Sequence, residues 1–181
     1  MGISGFIHSM SIFSALRVAL EAQEETADLG AAFEAVNRTL SSRSARQLVG
    51  CAAVLVDLTA GRISYINAGL KPPLLVVGPQ RLVTLEKTSA MLGADIESTY
   101  DPAFADLSSK FRVIMHTDGL TDALNPAGES YGEEQLHECL LQAEAFDAPE
   151  RMIDLILASL DEHTGSSAAS DDVLILVVAH G

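Results

Sequence analysis

Apolar side chains at helical spacing mark several parts of the chain. Over residues 3–25 they recur every three or four positions, which predicts a first helix. A second stripe predicts a helix over residues 27–44. Its apolar members are Leu29, Phe33, Val36 and Leu40. The same spacing near the C-terminal end predicts helices over residues 133–143 and 149–163, and Pro149 suits a first helical turn.

The middle of the chain changes to short apolar runs that are rich in β-branched residues. Four of these runs, with turns at residues 59–61 and 78–80, predict an antiparallel meander. They cover residues 51–58, 62–67, 73–77 and 81–86. A weak edge strand is expected at 102–107, and strong strands at 111–116 and 173–178. Helices, a meander, further helices and a returning strand predict a layered α+β domain.

Composition limits the kinds of partner that the protein can have. The 181 residues include 25 Asp and Glu against 11 Lys and Arg, which gives a formal net charge of −14. This balance argues against a nucleic-acid partner. No apolar run reaches the length of a membrane span, and the N-terminus lacks the features of a signal peptide. We therefore expect a cytoplasmic protein without membrane contact, with Cys51 and Cys139 reduced in the core.

Carboxylates stand at the ends of the two most apolar strands. Asp118 follows the strand at 111–116, and Asp171 and Asp172 precede the strand at 173–178. Carboxylates that are brought together repel each other, and a divalent cation with a preference for oxygen ligands relieves the repulsion. The pattern predicts a Mg²⁺ or Mn²⁺ site at these three residues. Aspartate is also common in ordinary turns and helix caps, so this second interpretation stays open.

Six short motifs occur in order along the chain. They are Tyr65-Ile66-Asn67-Ala68-Gly69, Pro72-Pro73-Leu74-Leu75, Met91-Leu92-Gly93, the segment from Thr117 to Ala123, the segment from Asn125 to Gly132, and Asp171-Asp172. Together they resemble the motifs of the metal-dependent protein phosphatases (PPM, protein phosphatase 2C-like), in the bacterial SpoIIE/RsbU-like branch. The resemblance implies a layered α-β-β-α sandwich of two antiparallel sheets flanked by helices.

The same resemblance implies a protein serine/threonine phosphatase that acts in signal transduction. Its substrate would be phosphoserine or phosphothreonine on a bacterial regulatory protein of the anti-sigma-factor-antagonist type. The implied cofactors are two Mn²⁺ or Mg²⁺ ions that activate water, so no side chain is named as a catalyst. Asp118 and Asp171 match metal-holding positions, Asp172 lies beside them, and Gly119 belongs to the loop of the metal site. The substrate-binding residues stay unnamed.

The chain departs from the family pattern at its N-terminal side. The early Gly-Asp strand has no counterpart and its hairpin would precede residue 1, while Phe6 and Ile7 replace the His and Gly of the second motif. One interpretation is that residues 1–181 form a single phosphatase-like domain that is incomplete or a C-terminal portion. The alternative is a degenerate domain that acts as a non-enzymatic interaction or signalling module. Missing strands would leave sheet edges open, so we also expect a homodimer.

Overall fold

The structure is a computed structural model of the protein. It describes residues 13–14, 16–17, 20, 28–42, 48–78, 81–142, 148–165 and 171–181. The helices are α1 Leu29–Ser41, α2 Asp118–Thr121, α3 Gly132–Gln142 and α4 Pro149–Thr164. The strands are β1 Cys51–Asp57, β2 Arg62–Ala68, β3 Leu74–Val77, β4 Arg81–Thr84, β5 Ala103–Asp106, β6 Phe111–His116 and β7 Ile175–His180. The chain divides into two compact units, Met1–Leu70 with Lys87–Ala105, and Lys71–Glu86 with Asp106–Gly181.

The first unit holds a three-stranded sheet in the order β1-β2-β5. β1 and β2 form an antiparallel hairpin that pairs Cys51 with Ala68 and Asp57 with Arg62. Helix α1 begins after Asp28, whose side chain accepts a hydrogen bond from the backbone N–H of Ala31 at 3.1 Å. Its apolar stripe is buried against the sheet and nearby loop residues. The buried core of this unit is Leu29, Phe33, Val36, Leu40, Ile66, Ala68, Leu92 and Tyr100.

The second unit holds a four-stranded antiparallel sheet in the order β4-β3-β6-β7. Helices α3 and α4 contribute apolar side chains to the same core as Leu74 and Val76 of β3 and Ile114 of β6. The buried core of this unit is Leu74, Val76, Ile114, Leu120, Ala123, Tyr131, Leu136, Cys139, Leu140, Met152, Ile156 and Leu160. Both ends of β6 are therefore fixed by neighbours, which positions whatever follows the strand.

The α+β fold class, with two antiparallel sheets and flanking helices, is confirmed. The three helices predicted from residue 27 onward are present to within three residues at each end, and β5 lies at a sheet edge as expected. The single four-stranded meander is wrong, because β2 pairs with β1 and β5 while β3 pairs with β4 and β6. Most of the first predicted helix, and the motif at residues 2–7, lie outside the described residues.

Candidate functional site

Three chain segments meet at one edge of the second sheet. β6 runs antiparallel to both of its neighbours, with His116 opposite Ile175 of β7 and Ile114 opposite Leu74 of β3. The end of β6 and the starts of β3 and β7 therefore lie at the same edge. We call this edge the site edge and define it by residues 71, 117–122, 133 and 171–174. It brings the candidate residue Asp118 to the same side of the sheet as Asp171 and Asp172.

Thr117 ties the segment before β7 to the start of α2. Its backbone N–H donates to the carbonyl of Leu174 at 3.1 Å, which continues the ladder between the two strands. Its hydroxyl donates to the carbonyl of Asp172 at 3.0 Å and accepts from the N–H of Leu174 at 3.0 Å. One side chain thus satisfies two backbone groups of a segment more than fifty residues away. Sequence reasoning quoted Thr117 only as part of a motif and missed this role.

Gly119 allows two backbones to approach closely. A Cβ atom at this position would lie 2.5 Å from the carbonyl oxygen and 3.0 Å from the carbonyl carbon of Asp172. Both are backbone atoms, so no rotation of a side chain could relieve the overlap. Gly119 was predicted to belong to the loop of a metal site, and that role stays a prediction. The contact explains why this position has no side chain.

The three candidate carboxylates are exposed to solvent. Asp118 accepts the N–H of Gly119 at 3.1 Å, and Asp171 accepts the N–H of Asp172 at 2.8 Å. Each carboxylate has about four lone-pair positions, so most of their acceptor capacity stays available. Oxygen donors of this kind suit Mg²⁺ or Mn²⁺. Among the described residues, however, no group of three or more His, Cys, Asp or Glu side chains is placed to hold a metal ion. The donor chemistry fits, and the number of convergent ligands falls short.

A lysine lies among the acidic groups of the site edge. The Nζ atom of Lys71 is 3.4 Å from Oδ1 of Asp122 and 3.8 Å from Oε1 of Glu133. The backbone N–H of Asp122 donates to the carbonyl of Asp118 at 2.8 Å, so Lys71 contacts a residue one helical turn from the candidate ligand. Sequence reasoning missed Lys71. Its position directly before Pro72 and Pro73 becomes informative only once β3 is known to pair with β6.

His116 ends β6 beside the same residues. Burial lowers the pKa of His116, the hydrogen bond of its Nδ1 with the carbonyl of Thr117 at 3.0 Å raises it, and the positive charge of Lys71 lowers it further. The net lowering favours the neutral imidazole. The ring is half-buried at the end of β6.

The motif around Asn67 in the first unit has a structural role. The Asn67 side chain is fully buried, accepts the N–H of Leu70 at 3.0 Å and donates to the carbonyl of Leu70 at 3.2 Å. Gly69 has a φ of +89°, which disfavours other residues, and a Cβ there would lie 2.4 Å from Cγ of Met91. These contacts define a tight turn after β2.

Comparisons with known proteins give consistent results. The sequence model of the family described as Stage II sporulation protein E (SpoIIE) matches residues 1–181. Protein IcfG of Synechocystis sp. is 30% identical over 124 residues, which are 68% of this chain and 19% of IcfG. The chain therefore spans about a fifth of the length of this curated relative.

Solved structures share the fold at lower identity. The SiaA-PP2C domain of Pseudomonas aeruginosa matches with a TM-score of 0.81 at 20% identity, over 97% of this chain and 70% of that one. The PP2C phosphatase domain of SpoIIE from Bacillus subtilis, solved with a fragment of its regulatory domain, matches with a TM-score of 0.78 at 20% identity, over 99% and 51%. The SpoIIE phosphatase domain has also been described as presoaked with Mn.

In the part of the chain that the structure describes, no helix is long and apolar enough to cross a membrane.

Proposed function

Because the chain belongs to the SpoIIE family of PP2C-type phosphatase domains, we propose that it hydrolyses phosphoserine or phosphothreonine on a bacterial regulatory protein, with Mn²⁺ or Mg²⁺ as cofactor. The observation that carries the proposal is the placement of Asp118 at the same end of the paired strands β6 and β7 as Asp171 and Asp172, where the backbones of Gly119 and Asp172 approach closely. These residues lie 53 and 54 positions apart in the sequence (171 − 118 and 172 − 118), and the pairing of β6 with β7 brings them together.

Asp118, Asp171 and Asp172 would hold the cation in this proposal. A bound divalent cation supplies a Lewis acid that lowers the pKa of water and offsets the charge of a phosphate group. The chain contributes fixed positions for the carboxylates. Thr117 and Gly119 hold the backbone of Asp172 against the start of α2, so the carboxylates stand on a rigid frame before any ligand arrives.

The first test is Mn²⁺ binding by isothermal titration calorimetry. We expect the wild-type chain to bind Mn²⁺. We expect Asp118→Asn to bind it at least about tenfold more weakly, because one anionic ligand is lost. Asp154→Asn is the matched control, since Asp154 is an exposed aspartate on α4 and does not belong to the site edge. Release of phosphate from a phosphoserine peptide should follow the same order. An absence of heat at millimolar Mn²⁺ would contradict the metal-dependent activity.

A second candidate function is a non-enzymatic module that binds a protein partner. It is favoured by the observation that the described residues present no group of three or more metal-binding side chains. Under this alternative, the chain would bind a regulatory protein, phosphorylated or unphosphorylated. Its affinity for that protein would be the same with and without EDTA. Loss of that binding on metal removal would instead support the phosphatase.

We also propose a cytoplasmic location and two partners for this chain. The first is a phosphorylated regulatory protein of the anti-sigma-factor-antagonist type, in keeping with the family. The second is another copy of the chain, because β7 is the outer strand of this sheet among the described residues. It carries the exposed side chains Leu176 and Val178, and the exposed Leu174 directly precedes it. We expect a dimer in size-exclusion chromatography with light scattering, weakened by Val178→Lys. A clean monomer would refute self-association.

The state of the cysteines supports the proposed cytoplasmic location. Both cysteines are free, as is usual in a reducing compartment.

A further inference from the structure

The site edge is strongly acidic, and a phosphate group is an anion. Asp118, Asp122, Glu133, Asp171 and Asp172 all belong to this edge, on a chain with a formal net charge of −14. A phosphate monoester that approaches these carboxylates is repelled unless a cation compensates. A lysine ammonium is a compact charge with three donors and a common partner of phosphate. We propose that Lys71 binds the phosphate group of the substrate, an inference that rests on the proposed phosphatase function.

The backbone of Lys71 is held in place from its C-terminal side. Pro72 and Pro73 follow it directly and fix two φ angles. The carbonyl of Pro73 accepts the N–H of Leu85 at 2.8 Å, and Leu74 then enters β3 opposite Ile114. The lysine side chain therefore starts from a rigid point at the edge of the sheet. The position of its ammonium group therefore depends on the side-chain torsion angles.

The present contacts of Lys71 are loose enough to be exchanged. Distances of 3.4 Å to Asp122 and 3.8 Å to Glu133 exceed the roughly 2.7–2.9 Å of strong charge-assisted hydrogen bonds. The side chains are 65% and 52% exposed at the two acids and 30% exposed at the lysine. Ion pairs of this kind contribute little stability. Moving the ammonium from these carboxylates to a phosphate therefore costs little.

A purely structural role for Lys71 gives the opposite expectation for one variant. If Lys71 only neutralises the charges of Asp122 and Glu133, removing those acids should weaken phosphate binding as much as removing the lysine does. If Lys71 binds phosphate, the two acids compete with the ligand. The double variant Asp122→Asn/Glu133→Gln then frees the ammonium and removes two nearby negative charges, so phosphate should bind more tightly.

The test is isothermal titration calorimetry of the whole chain in the presence of Mg²⁺. The chain is titrated with inorganic phosphate and, separately, with a phosphoserine peptide. We expect Lys71→Ala to weaken both affinities about tenfold or more, because a charge-assisted contact is lost. Lys71→Arg should restore most of the affinity, and the double variant should bind more tightly than the wild type. The Mn²⁺ affinity of Lys71→Ala should equal or exceed that of the wild type.

Equal phosphate affinities for the wild type and Lys71→Ala would overturn this role, as would an absence of phosphate binding by the wild type. Weakening of phosphate binding in the double variant would also overturn it in favour of a structural role. Failure of the proposed phosphatase function shows separately, in the Mn²⁺ titration of the wild type and Asp118→Asn. The two experiments therefore distinguish a failure of the Lys71 role from a failure of the phosphatase function.

Discussion

Two buried amides of the first unit and three exposed carboxylates of the second unit have opposite roles. In the first unit, the amides of Asn37 and Asn67 are fully buried and bonded to backbone groups of nearby loops. In the second unit, Asp118, Asp171 and Asp172 are exposed and keep most of their acceptor positions available. A buried polar group with its bonds made within the protein stabilises the fold, whereas an exposed group on a rigid frame is available to a ligand.

The contrast also separates the motifs that the sequence presents in order. The Asn67 motif makes a turn, and its amide joins both backbone groups of Leu70. The Asp118 motif places its carboxylate outward and uses Gly119 and Thr117 for the internal contacts. Similar-looking polar motifs thus divide into one that builds the fold and one that presents side chains. The following predictions test this division, from the largest expected effect to the smallest.

Gly119→Ala should have the largest effect on the second unit. The added Cβ would lie 2.5 Å from a backbone carbonyl oxygen of Asp172, so the segment before β7 must move. We expect the free energy of unfolding to fall by about 3 kcal/mol, measured by urea denaturation, with loss of Mn²⁺ binding.

Gly61→Ala is the matched control for that substitution. Gly61 has a φ of +64°, and among the described residues no atom lies within 4 Å of the position that an added Cβ would take. Only backbone strain of about 1 kcal/mol is therefore expected. A Gly119→Ala variant as stable as the wild type would contradict the close backbone approach.

Asn37→Ala should have the next largest effect on stability, and this effect is in the first unit. The amide donates to the carbonyl of Asp95 at 2.7 Å and accepts the N–H of Gly93 at 2.8 Å, and its loss leaves both groups without this partner. We expect the free energy of unfolding to fall by about 2 kcal/mol in urea denaturation, with Mn²⁺ binding unchanged. Ser41→Ala is the control. The Ser41 hydroxyl contacts the same amide, but at 3.5 Å from Asn37 Oδ1 its hydrogen bond is long and its loss should change the free energy of unfolding little. Loss of Mn²⁺ binding in a folded Asn37→Ala variant would break the comparison.

Each unit contains one cysteine, and their reactivity provides the mildest test. Burial raises the pKa of Cys51 to about 11 and also raises the pKa of Cys139. Only the thiolate reacts, so alkylation of Cys51 at pH 8 should be about a hundredfold slower in the folded chain than in urea, and alkylation of Cys139 should also be slower. Because the folded state binds the proton more tightly than the unfolded state, the stability from Cys51 is present below pH 9 and is lost as pH rises toward 11. Rapid labelling of Cys51 at pH 8 would contradict its burial.

Much of the fold could be predicted because periodicity is a local property of the chain. The stripes in α1, α3 and α4 follow from side chains three and four residues apart, and most of the strands are short runs of adjacent apolar residues between turns. Asp118, Asp171 and Asp172 could be picked out for the same reason, since each stands at the end of an apolar run. Their proposed metal role rests on these positions and on the family.

Local information predicted the hairpins β1–β2 and β3–β4 but not the pairing of strands that no tight turn joins. The sequence places β2 and β3 next to each other, yet β3 pairs with β6, more than thirty residues away, and β2 pairs with β5. Hydrophobic alternation states which face of a strand is apolar and says nothing about which other strand lies beside it. The separation of the predicted meander into two sheets was therefore decided by tertiary packing.

The sequence by itself determined the α+β class, most of the elements and the identity of the exposed acids. Only the tertiary structure decided that Lys71 lies beside Asp122 and Glu133 and that Gly119 lies against the carbonyl of Asp172. These three contacts join segments that are 51 to 62 residues apart in the chain (122 − 71, 133 − 71 and 172 − 119). Such contacts form because strands pair in register across the sheet, and that register is a property of the folded chain as a whole.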